Sequence, residues 1–371
     1  MVTRLAILGA TGSIGRQALD VVGSHPDRLR VTALASARNA PALAALARET
    51  GANATALQAR DGDDALCDLA TRADVDLVLV ATPGIAGLAP TLAALRAGKR
   101  VALANKEVLV TGGHLVAPLA GGAGDRLRPV DSEHCALWQC LVGERLEDVA
   151  RVALTASGGP FRARPIDELA SVTSEEALRH PTWRMGPKVT IDSATLANKG
   201  YEVVETRWLY GIPYERIEIV VHPESVIHAL VEFADGSVKA QLAEPDMRLP
   251  IQYALLWERA PSPAARLDWS QVRTLRFEGT PDPQRYPCLA AVLDTARSGD
   301  LTAMIGLSAA DELAVARFLR NEIGFGEIAS YLRRGAALGP AQRAPAAPDL
   351  GEILGIDRAV RAALETAPAL A

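Results

Sequence analysis

The chain has 371 residues, enough for two or three cores, and its 49% hydrophobic and 22% charged residues are an ordinary globular mixture. Lys and Arg number 39 against 44 Asp and Glu, and the net charge of −5 offers no basic field to attract nucleic acid or anionic lipid. The four cysteines (Cys67, Cys135, Cys140, Cys288) show no CxxC spacing, MVTRLAILGA is not a signal peptide, and no apolar run reaches membrane-spanning length, so a cytoplasmic protein without structural zinc is expected.

Short β-rich runs alternate with helical ones from the start. LAIL precedes a helix from Ile14, VTALA a helix through PALAALARE, and TALQA a helix through DALCDLA; DLVLVAT precedes a helix through LAPTLAALRAG, and RVALA follows. This pattern predicts an α/β fold with a Rossmann-like doubly wound parallel sheet over residues 1–130. RLRPV then reads as a strand feeding the helical run CALWQCL, and beyond Arg151 the strands carry Ser, Gly and Pro. IEIVVHPESVIHALVEFADGSVKAQLA reads as extended strands with a turn at Asp235 and Gly236. A central α+β catalytic domain over 131–257 is expected. Residues 258–285, with Pro261, Pro263, Pro281 and Pro283, read as a linker. Helical periodicity around 287–298, 308–320, 325–333 and 351–365 predicts a small C-terminal helical bundle over 286–371, interrupted by the low-complexity GPAQRAPAAP.

GATGSIGRQ places Gly9, Gly12 and Gly15 between the first strand and a helix beginning near Ser13 or Ile14. Glycine lets the backbone approach a pyrophosphate while the helix N-terminus attracts its charge, although the spacing GxxGxxG differs from the usual dinucleotide fingerprint. The second strand ends in LASARN. Ser36, Arg38 and Asn39 stand where an acid would otherwise accept a ribose hydroxyl, which predicts NADP(H) over NAD(H).

PVDSEHCALWQC, residues 129–140, sets Asp131 and Glu133 at a helix start, where capping is the simplest role for an acid. TIDSATLANKGYEVVETRWL adds Ser193, Asn198, Lys199, Glu202 and Glu205 around a helix expected to break or restart near Gly200. Hard divalent cations prefer carboxylate oxygens, which makes Asp131, Glu133 and Glu202 candidate ligands for Mg²⁺ or Mn²⁺. Glu205, one turn on, is also a candidate ligand on spacing, with a helix-surface acid the favoured reading. Ser157 in LTASGGPFR, with Ser193, Asn198, Lys199 and His180, supplies the donors a phosphate monoester needs. Trp183, in the irregular LRHPTWRMGPK, would either cover a substrate as part of a lid or pack under its own loop. His222 and His228 lie on one face if extended, and a strand histidine such as His228 is more often a packing residue than a catalyst.

In order along the chain, GATGSIG, LANKE, PVDSEH, LTASGGPF, HPTWRMG, DSATLANKG and EPDMR resemble the 1-deoxy-D-xylulose 5-phosphate reductoisomerase family over nearly the whole sequence. The resemblance implies an NADPH-dependent, divalent-cation-requiring homodimer (Mg²⁺ or Mn²⁺, with Co²⁺ as an alternative). Such an enzyme makes 2-C-methyl-D-erythritol 4-phosphate in the non-mevalonate isoprenoid pathway, by retro-aldol cleavage and re-aldolisation or by an α-ketol shift. It implies Asp131, Glu133 and Glu202 as metal ligands, and Lys106, Ser132, Ser157, His180, Trp183, Met185, Ser193, Asn198 and Lys199 as substrate contacts. Lys106, Glu133, Glu202 and His228 would be catalytic. At the cofactor it implies Gly9, Thr11, Gly12, Ser13 and Ile14 at the phosphate turn; Ser36, Ala37, Arg38 and Asn39 at the 2′-phosphate; and Asn105, Glu107, Gly186 and Pro245 nearer the nicotinamide. Without the resemblance, Lys106 would pass as a surface lysine. Three positions depart from the family pattern: Ala37 for a Gly, Ala197 for a Met, and SAADE at 308–312 for an Asn-rich version. Two rival readings remain at this stage: a semialdehyde-type dehydrogenase with Cys135 as nucleophile, and an NADP-sensing protein without turnover.

Overall fold

A computed structural model describes residues 2–183, 185–271, 274–342 and 344–366. Arg184 of HPTWRMG, Arg343 of the low-complexity stretch and residues 367–371 of the expected helical bundle lie outside the described residues.

The first third alternates strand and helix: β1 (Thr3–Leu8), α1 (Ser13–Ser24), β2 (Leu29–Ser36), α2 (Ala40–Thr50), β3 (Ala54–Leu57), α3 (Gln58–Asp61), α4 (Asp64–Thr71), β4 (Leu77–Val80), α5 (Leu88–Arg96), β5 (Arg100–Leu103), α6 (Glu107–Ala120) and β6 (Leu127–Pro129). The strands form one sheet in the order β3-β2-β1-β4-β5-β6, parallel throughout. Both faces are covered, so β4 reads LVLV with every side chain buried. The period of two sorts β1 between layers: Leu5 and Ile7 pack with Ala18 and Val21 of α1, whereas Ala6 and Leu8 face the layer containing Leu66, Leu69, Leu88 and Leu92. Cutting Leu5 or Leu8, both 0% exposed, to Ala costs about 2–5 kcal/mol.

Next come α7 (Ser132–Leu141), β7 (Val149–Ala156), α8 (Ser174–Ala177), α9 (Pro187–Thr195), α10 (Ala197–Tyr210), β8 (Ile217–Val221), β9 (Ile227–Phe233), β10 (Val238–Leu242) and α11 (Arg248–Leu256). A second sheet runs β10-β9-β7-β8, with β7 parallel to β8 and antiparallel to β9, and β9 antiparallel to β10. The expected turn joins β9 to β10, with Gly236 at φ 83°. Helix α11 returns to the first sheet, packing Ile251, Ala254 and Leu255 with α1, and the Arg128 guanidinium of β6 donates to the Ala254 carbonyl at 3.0 Å.

After residues 258–285, which carry no helix or strand among the described ones, come α12 (Pro287–Ser298), α13 (Leu301–Leu319), α14 (Glu327–Leu338) and α15 (Leu350–Glu365). Helix α13 starts seven residues before the expected 308, because Asp300 caps it by accepting from the Thr302 and Ala303 amides. Helix α14 runs on past 333 to Leu338.

The junction of α9 and α10 also differs from expectation. The break lies at Leu196, held left-handed at φ 56°, and α10 passes through Gly200 unbroken. Gly200 is instead a point of helix contact: a Cβ there would stand 2.8 Å from Val292 Cβ of α12.

Candidate active site

The C-terminal ends of parallel strands are where a doubly wound sheet leaves a crevice. Here that crevice opens toward α7, α9 and α10 as a cavity of about 500 Å³. Gly12, Ser13 and Ile14 after β1, Thr82 and Pro83 after β4, and Asn105, Lys106 and Glu107 after β5 form one wall. Asp131, Ser132 and Glu133 after β6, with Ser157, His180, Trp183, Met185, Gly186, Ser193, Asn198, Lys199, Glu202 and His228, form the rest.

The glycines of the first turn divide their labour. Gly9 has φ 95°, and a Cβ on it would come 2.4 Å from the Ala81 carbonyl oxygen; a Cβ on Gly15 would come 2.4 Å from the Gly9 oxygen. Gly12 opens α1 without a side-chain cap, leaving the first amides of the helix toward the cavity. Thr11 and Ser36 join their hydroxyls at 2.7 Å across the ends of β1 and β2. Ala37, Arg38 and Asn39 are exposed beyond β2, and the Asn39 Oδ1 accepts from the Ala42 amide to cap α2.

At the other end the wall is buried charge. Oxygens of Asp131, Glu133 and Glu202 lie within 4.8 Å of one another. Asp131 caps α7 by accepting from the Ser132 amide at 3.1 Å, so capping and convergence coexist in one side chain. Two ammonium groups face the acids. Lys106 Nζ lies 2.7 Å from Asp131 Oδ2 and donates to Asn198 Oδ1 at 2.6 Å; Lys199 Nζ donates to Glu133 Oε1 at 2.8 Å and to Glu202 Oε2 at 2.5 Å. Lys106 is 8% exposed, not the surface lysine its local sequence suggests. Burial pushes the Glu133 carboxyl up, but Lys199, His228 and the Ser132 hydroxyl together outweigh it and hold the group at about 2. For Glu202 burial wins, reinforced by Glu133, and raises it to about 8.

Glu205 corrects the sequence reading. It is 1% exposed rather than on the helix surface, with Oε2 3.5 Å from His134 Nδ1. His134 Nε2 lies 2.9 Å from the Glu202 carbonyl oxygen, so it carries the ring proton and Nδ1 faces Glu205. Burial drives Glu205 well above the usual carboxyl range.

Beside the acids lies a neutral donor group. His180 Nδ1 accepts from the Trp183 amide at 2.9 Å, which places the imidazole proton on Nε2. That nitrogen stands 3.2 Å from Ser157 Oγ and 3.1 Å from Ser193 Oγ, and burial lowers His180 to about 4. The Trp183 ring lies 6.0 Å from that of His228. His222 and His228 do not share a strand: β8 ends at Val221, and His222 Nε2 accepts from the Val226 and Ile227 amides to build the turn. That turn places Ser225 at φ 52° on the cavity wall.

Family models match most of the chain: "1-deoxy-D-xylulose 5-phosphate reductoisomerase" over residues 5–61 and 49–113, that enzyme's C-terminal domain over 127–210, and "DXP reductoisomerase C-terminal domain" over 242–363. A 1-deoxy-D-xylulose 5-phosphate reductoisomerase of Thermomicrobium roseum is 46% identical over 371 residues, covering 96% of this chain and 95% of the relative. The chain belongs to the 1-deoxy-D-xylulose 5-phosphate reductoisomerase family. A second relative of that name, from Ralstonia nicotianae, is 48% identical over 91% of this chain and 92% of its own length. A solved DOX-P reductoisomerase, in complex with NADPH, fosmidomycin and magnesium, superposes with a TM-score of 0.91 at 37% identity, covering 98% of each chain. The Zymomonas mobilis enzyme in complex with NADPH gives 0.87 at 40% identity, covering 99% of this chain and 100% of that one.

Several side chains of the site carried no readable signal. Lys188, Asp192, Ser225 and Met247 line the cavity, whereas Pro245 does not. Asn105 ties down the turn after β4 by donating to the Thr82 and Gly84 carbonyls, and Glu107 is bound by Lys188 at 2.9 Å. Cys135, the nucleophile of the rival dehydrogenase, is 1% exposed and pushed by burial to about 12, a protonated thiol at neutral pH.

Proposed function

We propose that the chain converts 1-deoxy-D-xylulose 5-phosphate to 2-C-methyl-D-erythritol 4-phosphate with NADPH and a divalent cation, in the non-mevalonate isoprenoid pathway. The observation that carries this is the meeting, in one cavity, of an uncapped helix N-terminus, a cluster of hydroxyl and imidazole donors, and three converging carboxylates.

The residues fit a hard cation. Asp131, Glu133 and Glu202 present oxygens alone, and with buried Glu205 they outnumber the two lysines facing them. Mg²⁺ or Mn²⁺ held there would supply Lewis acidity to the sugar phosphate, and NADPH would supply the hydride. Lys106 and Lys199 bridge the carboxylates and draw them toward one another, while Asn198 fixes Glu202 by donating at 2.5 Å. Ser157, Ser193 and the Nε2–H of His180 hold the phosphate, a dianion that a neutral histidine binds without a proton changing hands. Trp183, against His228, covers the substrate and excludes water. The first amides of α1 hold the pyrophosphate, and exposed Arg38 holds the 2′-phosphate.

The central region, 131–257, carries the chemistry; residues 1–130 bind the dinucleotide, 258–285 connect, and the region from 286 forms a helical support. The proposed enzyme is a homodimer of the cytoplasm. No described helix is long and apolar enough to cross a membrane. NADPH oxidation by the purified chain with 1-deoxy-D-xylulose 5-phosphate, with EDTA and then with added Mg²⁺ or Mn²⁺, tests the reading. Cation-dependent oxidation is expected; its absence with every cation rejects the function.

A further inference from the structure

Residues 180–183 and 185–187 border the cavity between two short helices, and the Thr182 and Trp183 amides donate to His180 Nδ1, tethering the first of these stretches. The second runs into α9, whose N-cap, Gly186, offers no capping side chain. Lys188, in the first turn of α9, reaches back into the protein. Its ammonium lies 2.9 Å from Glu107 Oε1 on α6, 2.6 Å from Asp192 Oδ2 on α9, and 2.8 Å from Asp311 Oδ2 on α13. Asp311 is 0% exposed, and its Oδ1, like that of Asp192, accepts no hydrogen bond among the described residues. One ammonium therefore offsets charge from three elements, and a buried carboxylate deprived of it is left uncompensated.

The next residue of α13 points to a different wall. Glu312 lies against the turn after β4, where a Cβ on Gly84 would stand 2.4 Å from its Oε1, and Arg361 of α15 holds Glu312 Oε2 at 2.9 Å. Helix α13 thus supports both the root of the segment and the turn that Asn105 fastens.

We propose that Lys188 is a positioning residue: by binding Glu107, Asp192 and Asp311 together it fixes the root of segment 180–187, so that the segment's hold on the sugar phosphate depends on the C-terminal helices. The restraint on the segment is independent of the reaction assigned above; the effect on substrate rests on it.

The test compares the full chain with Lys188→Met, Asp311→Ala and Asp311→Asn, by hydrogen exchange of 180–187 without ligand and by steady-state kinetics. In Lys188→Met and Asp311→Ala, exchange across the segment speeds up about ten-fold and KM for 1-deoxy-D-xylulose 5-phosphate rises about ten-fold, with a smaller change in kcat. Asp311→Asn keeps an oxygen for the ammonium and restores both values toward those of the parent. A lower melting temperature with exchange and KM unchanged overturns the proposal; should Lys188→Met fail to fold, the two Asp311 variants decide it. A parent chain without turnover sinks the functional reading and leaves the exchange comparison standing.

Discussion

At the cofactor end of the cavity the wall is backbone: glycines that let strands touch, an uncapped helix, and one exposed guanidinium. At the substrate end it is buried charge, with Lys106 and Lys199 set among acids that water barely reaches. The first arrangement would bind by shape, by amides already in place and by Arg38, so losing one side chain there leaves no buried charge unpaired. The second works only while every partner is present, because removing one charge strands another in a low-dielectric setting.

The two ends should therefore fail differently. Glu202→Gln, at the charged end, is expected to lower metal-dependent turnover on the order of a thousand-fold while NADPH still binds, checked by kinetics and by quenching of protein fluorescence. Turnover within a few-fold of the parent would remove Glu202 from the metal set. At the backbone end, Gly15→Ala forces a methyl group to 2.4 Å from the Gly9 oxygen. It should cost about 1–3 kcal/mol of stability and most dinucleotide affinity, read from denaturant unfolding and NADPH titration; unaltered unfolding contradicts the close approach. Arg38→Ala should weaken NADPH about ten- to a hundred-fold and leave NADH nearly as before, and equal losses for both exclude a 2′-phosphate contact. Cys135→Ala, between the ends, should change stability by about 1 kcal/mol and leave kcat alone; a large kinetic loss would revive the thiolate chemistry that the buried sulfur speaks against.

The same contrast explains what could be read from the chain. The turn Gly9–Ile14 and the stretch Ser36–Asn39 are continuous segments beside recognisable strands, so spacing alone exposes their chemistry. The charged end joins residues far apart, 92 positions between Lys106 and Asn198 and 66 between Glu133 and Lys199, and only a whole set of motifs brought them together on paper. Helical spacing places Glu205 one turn from Glu202 but does not say which protein covers it; His134, on another helix, does. The break at Leu196 was misplaced for a related reason. Gly200 is the weakest helix former in that stretch, yet packing against Val292 uses its missing side chain and keeps the helix whole. Lys188 gave no signal at all, since a lysine after a Gly-Pro pair is what any exposed loop contains.

The parallel pairing of β7 with β8 encloses everything from residue 157 to 216 as a single excursion between neighbouring strands. During folding, that pairing must close a long, entropically costly loop, while β9 and β10 meet across a tight turn and the first sheet assembles from short crossovers. A nascent chain halted before this closure would carry a finished glycine turn but would have only two of the three carboxylates proposed to hold the cation in place, so affinity for the dication should appear among the last properties the polypeptide acquires.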